Sequence, residues 1–313
     1  MNIQLLLSAM IPVVFVLALG YAAGRHHSFD DDQRKGFSSL ALQYALPASL
    51  FLAMANVDRR LLLQQGPIAV VMLIGYSGLF LLGYWILRVM RVGKLKATLY
   101  SYTVSSTAVP IYGLTVLVPI YGSQIGSGVV GLAALVTNLA QVSVAIYLLE
   151  ASASNSDEHP SVWRTVGRSA LNPLVWAPVL GAIFALLSWQ PSSLVAAGLA
   201  PLAVSAAGVA IFASGLVLSA YPVKLTSFSV ICSALVCIVL KPALFFGMIR
   251  GGHMATKLAT ATFVGSAMPT STPSVLFAQQ YDACEAEMAG IMLLTTVGML
   301  VTVPTTIAMS PFL

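Results

Sequence analysis

The sequence predicts an all-α integral membrane protein, with about ten transmembrane helices in a 5+5 inverted repeat whose fourth and ninth helices are broken at proline. Three observations predict it. Of 313 residues, 58% are hydrophobic and 8% charged, whereas a soluble domain carries about 25% charged residues. Apolar runs of about 20 residues, the length that crosses a hydrocarbon core of about 30 Å, recur from end to end. Two stretches, 96–122 and 257–282, also read as copies of each other. A gapless shift pairs Ala108 with Ala267, Pro110 with Pro269, Val116 with Val275 and Leu117 with Leu276. It continues by pairing Leu135 with Leu294, Thr137 with Thr296 and Val142 with Val301.

The expected spans are 3–24, 38–56, 67–90, 97–121, 127–149, 172–189, 194–219, 227–249, 258–281 and 286–309. The first is read as a membrane helix. It lacks the basic n-region of a secretion signal and outruns the usual apolar segment of about 7–15 residues. Turn and charge clusters separate the spans, at 25–35, 121–124, 151–168 and 282–287. The long loop divides the chain into a first five-helix repeat, 1–150, a cytoplasmic linker, 151–171, and a second repeat, 172–313. Each half has an odd number of spans, so homologous halves must enter the bilayer in opposite senses. Pro12-Val13 and Pro178-Val179 add a weak echo between the first and sixth spans.

Orientation follows from the basic residues of the loops. With both termini outside, Arg25, Arg34, Lys35, Arg88, Arg91, Lys94, Lys96, Arg164, Arg168 and Lys224 face the cytoplasm, while Arg59, Arg60, Arg250 and Lys257 face out. The expected location is the cytoplasmic (inner) membrane. The net charge of +5 thus reflects loop topology, and the basic residues form no clustered face of the kind nucleic acid needs. Cys232, Cys237 and Cys284 make no CxxC pair, and no histidine stands at metal-ligand spacing from them. His26, His27, His159 and His253 all fall in loops or at span ends, so no zinc motif and no intramembrane base for a serine is expected. Neither an enzyme nor a potassium-type channel, which would need its carbonyl filter sequence, is indicated.

The two broken segments carry the chemistry. The first reads Ser105-Ser106-Thr107-Ala108-Val109-Pro110 and the second Gly265-Ser266-Ala267-Met268-Pro269-Thr270-Ser271-Thr272-Pro273. Proline removes a donor and clashes with the preceding turn. Broken backbone survives in a membrane only where protein shields it or it lines a watery cavity. The new half-helix N-termini then offer free N–H groups and a positive dipole end to an anion, and the hydroxyls beside them add hydrogen bonds. Interrupted segments at matching places in two halves point to the substrate site of a secondary transporter. A proline kink whose hydroxyls serve only their own helix is the structural alternative.

Lys241, mid-span in Val239-Leu240-Lys241-Pro242, costs about 2.5–3.5 kcal/mol at the bilayer centre on insertion scales. It could neutralise an anionic substrate, or pair with a carboxylate or a helix C-terminus. Snorkelling to a headgroup is the alternative. No Asp or Glu lies deep within a span, so no buried carboxylate pair for sodium or a proton relay is expected. Asn138 and Gln141 lie three apart on one helix face, as site residues or interhelical glue. Tyr112 is a possible cavity aromatic, and Tyr121 and Tyr281 are expected at the interface.

With Gly20-Tyr21, Leu46-Pro47-Ala48, Pro110, Lys241-Pro242, Pro269 and Pro273, the chain resembles the auxin efflux carrier family over nearly its whole length. It looks most like the bacterial branch of malonate and dicarboxylate carriers, having none of the long cytoplasmic loop of many plant members. The resemblance implies that the fourth and ninth helices cross at their broken centres, that a bundle including the second and seventh helices moves against them, and that Pro110, Pro269 and Pro273 make the crossover. Plant members commonly place an Asn near the first crossover proline. Ser105, Ser106 and Thr107 stand there instead, which fits a smaller ligand than auxin.

The expected substrate is therefore a small carboxylate, malonate first, bound by Ser105, Ser106, Thr107, Pro110, Tyr112, Asn138, Lys241, Pro269, Thr270, Ser271, Thr272 and Pro273. A sodium-coupled organic anion carrier like the bile acid carriers, an auxin-like anion exporter and a receptor that only binds are the alternatives. No cofactor and no metal is expected; a proton or sodium gradient would drive transport. Membrane lipid and a second copy in a homodimer are the expected partners.

Overall fold

The computed structural model describes residues 3–26, 28–153, 167, 171–221, 225–254 and 256–313. The expected linker 151–171 lies largely outside them, as do His27, His159, Arg164, Arg168 and Lys224. Among the described residues the fold is all-helical, with no strand. Helix α1 is Ile3–Arg25, α2 Asp31–Ala55, α3 Gly66–Val89, α4 Lys94–Ser105, α5 Val109–Tyr121 and α6 Ser123–Ser152. After the central loop come α7 Pro173–Leu186, α8 Ser193–Ala220, α9 Phe228–Gly251, α10 Lys257–Ser266, α11 Pro273–Gln280 and α12 Glu285–Met309.

Among the described residues, seven helical segments are long and apolar enough to cross a membrane, with α4 and α5 counted as one. This is fewer than the about ten spans expected, for a geometric reason in three places. Within α1, the apolar helix Met10–Arg25 falls short of a full span. The predicted sixth span is the 14-residue α7, about 21 Å long at 1.5 Å per residue, short of a 30 Å core. The predicted ninth is split into α10 and α11, of 10 and 8 residues. The separator expected at 121–124 narrows to Gly122, whose φ of +84° is a conformation glycine adopts without steric cost.

The start of α2 is specified locally. Asp30 accepts from the Gln33 amide at 2.8 Å while the Gln33 side chain accepts from the Asp30 amide at 2.9 Å, a capping box that satisfies two otherwise orphaned donors. Among the described residues, four helices carry a π-helical turn: Leu40–Ala45 in α2, Leu73–Gly78 in α3, Val136–Val142 in α6 and Val236–Leu240 in α9. Such turns concentrate at functional sites.

The helices sort into two groups. α1, α2, α7 and α8 pack on one another, as do α3, α4, α6 and α9 to α12, while α5 and α6 meet both groups. The crossing of α1 and α8 is backbone to backbone. A Cβ on Gly215 would stand 2.3 Å from the Leu17 carbonyl oxygen, and one on Gly20 2.2 Å from that of Phe212. Small residues permit this approach in a bilayer, where close packing and not water drives helix association.

Candidate functional site

The two interruptions meet in the interior. Residues 106–108 separate α4 from α5, and residues 267–272 separate α10 from α11. The Ala108 amide donates to the Pro269 carbonyl at 2.9 Å. Ser106 Oγ and Thr270 Oγ1 lie 2.7 Å apart, the Ser271 amide donates to Ser106 Oγ at 3.2 Å, and Thr270 Oγ1 donates to the Thr103 carbonyl at 2.6 Å. Thr107 Oγ1 donates to the Gly265 carbonyl at 3.4 Å. From the neighbouring helix, Thr302 Oγ1 donates to the Ala267 carbonyl at 3.1 Å. Each break thus satisfies the other, which is what opened backbone in a membrane requires.

Lys241 follows the π turn of α9 and is fully buried. Its Nζ donates to the Ser106 carbonyl at 2.9 Å and the Met268 carbonyl at 3.3 Å. These carbonyls follow the C-terminal ends of α4 and α10, where the helix dipoles present negative partial charge. Of the partners expected for Lys241, the structure places it on helix C-termini. It does not line the cavity described next.

A cavity of about 30 Å³ lies beside the junction, lined by Leu42, Leu46, Tyr102, Thr107, Ala108, Pro110, Ile111, Thr137, Asn138, Val142, Leu174, Ser271 and Pro273. It has room for about two waters. The polar lining is Tyr102, Thr107, Thr137, Asn138 and Ser271, with no charged side chain. The first turns of α5 and α11 border it through Pro110 and Pro273, which carry no N–H; the next amides, of Ile111, Tyr112, Ser274 and Val275, donate to the Ala108, Ser271 and Thr272 carbonyls.

Of the expected residues, Thr107, Pro110, Asn138, Ser271 and Pro273 line this cavity. Ser105, Ser106, Pro269, Thr270 and Lys241 hold the junction together from outside it. Ser105 Oγ donates to the Ser101 carbonyl and accepts from Gln141 Nε2, both at 2.7 Å. Thr272 pairs with Ser214 of α8 at 2.9 Å. Tyr112 is fully buried away from the cavity, and its hydroxyl lies near Ser214 and Thr296 outside hydrogen-bond geometry. Asn138 bonds only to the Ala134 carbonyl of its own helix, at 2.8 Å, leaving its second N–H for an anion. Sequence reasoning missed Tyr102, whose hydroxyl is 3.4 Å from Ser271 Oγ, along with Thr137 and the apolar wall. Tyr102 stands one helical turn before Ser106, the one signal that could have found it.

Two larger cavities flank the junction. One, of about 260 Å³, has Asp31, Arg34, Lys35, Ser39, Gln43, Tyr221 and Gln279 in its lining. Arg34 pairs with Asp31 at 3.1 Å. Burial, then Glu285 and Asp31, push the Tyr221 phenol up to about 12 against the opposing Arg34, so it stays a neutral donor at physiological pH. The other, of about 520 Å³, is lined by uncharged residues including Ser49, Asn56, Thr115, Gln124 and Ser127. Among the described residues no cluster of His, Cys, Asp or Glu could hold a metal.

The profile of the family described as membrane transport protein matches residues 5–307. The chain is 24% identical to the "Uncharacterized transporter YfdV" of Escherichia coli K12, over 94% of this chain and 94% of that one. The same figures hold for the proteins of that name in Escherichia coli O157:H7 and Shigella flexneri.

Proposed function

Given that the chain belongs to the membrane transport protein family, that of the auxin efflux carriers, we propose that it is a secondary active transporter of small carboxylate anions, malonate the first candidate. The observation that carries this reading is the Ala108 to Pro269 hydrogen bond. It brings two half-helix N-termini and the side chains of Thr107, Asn138 and Ser271 around one cavity. A carboxylate there would accept from the hydroxyls of Thr107 and Ser271 and from the Asn138 side-chain N–H. Electrostatic support comes from the dipole ends, with Lys241 acting through the junction it holds. Malonate itself rests on the resemblance.

In this reading α4 with α5 is the fourth transmembrane segment and α10 with α11 the ninth. The seven long segments, the shorter apolar helices Met10–Arg25 and Pro173–Leu186, and the split α10–α11 account for ten. Two inverted repeats would exchange conformations to alternate access, with α1, α2, α7 and α8 moving against the remaining bundle. The present cavity is smaller than a dicarboxylate, so the anion enters by that motion. A proton or sodium gradient supplies the energy. We place the carrier in the cytoplasmic membrane with both termini outside, as a homodimer.

Uptake of labelled malonate into proteoliposomes tests the function, first under a pH gradient and then with sodium as the only gradient. Uptake under the pH gradient that other dicarboxylates compete supports a proton-driven carrier, and uptake under sodium alone supports a sodium-driven one. Binding without uptake under either gradient contradicts the transport reading.

A further inference from the structure

We infer that Leu42 is the gate between the crossover cavity and the face of the protein that carries Arg34 and Lys35, an inference that rests on the alternating-access reading. Among the described residues, Leu42 is the one that lines both the 30 Å³ crossover cavity and the 260 Å³ cavity next to it. Both cavities border α2 and α11. On α11, Ser271 and Pro273 at its N-terminal end border the inner cavity, while Leu276 and Gln279 border the outer one. Leu42 is therefore the side chain common to both walls.

The opposite side is built differently. The 520 Å³ cavity there runs along α2 from Ser49 to Asn56 and along α5 from Leu114 to Val118, and it shares no lining residue with the crossover cavity. Opening toward that side requires helices to part. Opening toward Arg34 requires Leu42 to move.

Two features suit Leu42 to the task. It lies within the π turn Leu40–Ala45, where the regular hydrogen-bond register of α2 is interrupted, so its backbone sits on a deformable section of the helix. Its side chain is apolar, and an anion passing it must shed water without a replacement partner, which closes the route until the side chain swings away. The structure thus represents a closed state one side chain from opening on the Arg34 face.

Thiol labelling tests this without a transported substrate. In a background with Cys232, Cys237 and Cys284 replaced by alanine, Asn138→Cys places a thiol on the crossover cavity. A small anionic methanethiosulfonate reagent is applied to each face of the membrane in turn. Leu42→Ala is expected to raise the labelling rate at least fivefold from the Arg34 face and to leave the rate from the other face unchanged. Leu46→Ala, which enlarges the inner cavity alone, should leave both rates unchanged. Volume-conserving Leu42→Met should label like the parent, which guards against misfolding as the cause. An unchanged rate in Leu42→Ala, or an equal rise from both faces, overturns the gate. Sided acceleration together with absent malonate uptake by the parent protein supports the gate and counts against the carrier reading alone.

Discussion

The Lys241 ammonium lies 2.9 Å from the Ser106 carbonyl oxygen, at the point where the first broken helix stops. With Met268 as second acceptor at 3.3 Å, one buried cation joins the C-terminal ends of two half-helices from opposite halves of the chain. That pairing explains why a lysine persists at membrane depth, where an unpaired charge is costly.

Lys241→Met keeps the unbranched stem of the side chain, one atom shorter, and deletes the donor. Each orphaned buried carbonyl costs about 1–3 kcal/mol, so the variant should unfold at a temperature several degrees lower in detergent. Thermal unfolding followed by circular dichroism checks this. An unchanged midpoint would remove Lys241 from the junction.

Ser106 and Thr270 bond across the junction and to shared neighbours, so their losses should not add. A double-mutant cycle of Ser106→Ala and Thr270→Val is expected to show a coupling of about 0.5–3 kcal/mol in the unfolding free energy. Additive losses would mean that the two breaks are stabilised separately.

Gly215→Val should separate α1 from α8, since its Cβ would fall 2.3 Å from the Leu17 carbonyl oxygen and 2.7 Å from the Tyr21 amide nitrogen. Backbone atoms cannot yield as a side-chain tip does, so a loss of folded protein in size-exclusion chromatography is expected. Gly208→Val on the same helix, where a Cβ meets no neighbour, should elute as the parent does.

Much of this arrangement was legible in the sequence, because proline and serine advertise a broken helix through their own chemistry. Residues 106–108 and 267–272 are non-helical, with Pro110, Pro269 and Pro273 in or beside them. A helix C-terminus was among the partners legible for Lys241, but which carbonyls it reaches was not, since backbone carbonyls leave no trace in residue type. Asn138 and Gln141 share a predicted helix face, yet the π turn Val136–Val142 shifts the register between them. Asn138 lines the cavity, while Gln141 donates to Ser105 Oγ and, at 3.3 Å, to the Tyr76 carbonyl. The apolar wall of Leu42, Leu46 and Ile111 was hidden because these residues resemble any other membrane-helix leucine or isoleucine.

The central claim is that the anion binds beside the junction, and Asn138 isolates it. Its side chain lines the cavity yet bonds only to its own helix, so Asn138→Ala should fold normally. The measurement is the concentration dependence of labelled malonate uptake by proteoliposomes holding the parent or Asn138→Ala. The account predicts saturable uptake in both, with a KM at least fivefold higher in the variant. Saturable uptake with the same KM in both would place the anion elsewhere and contradict it.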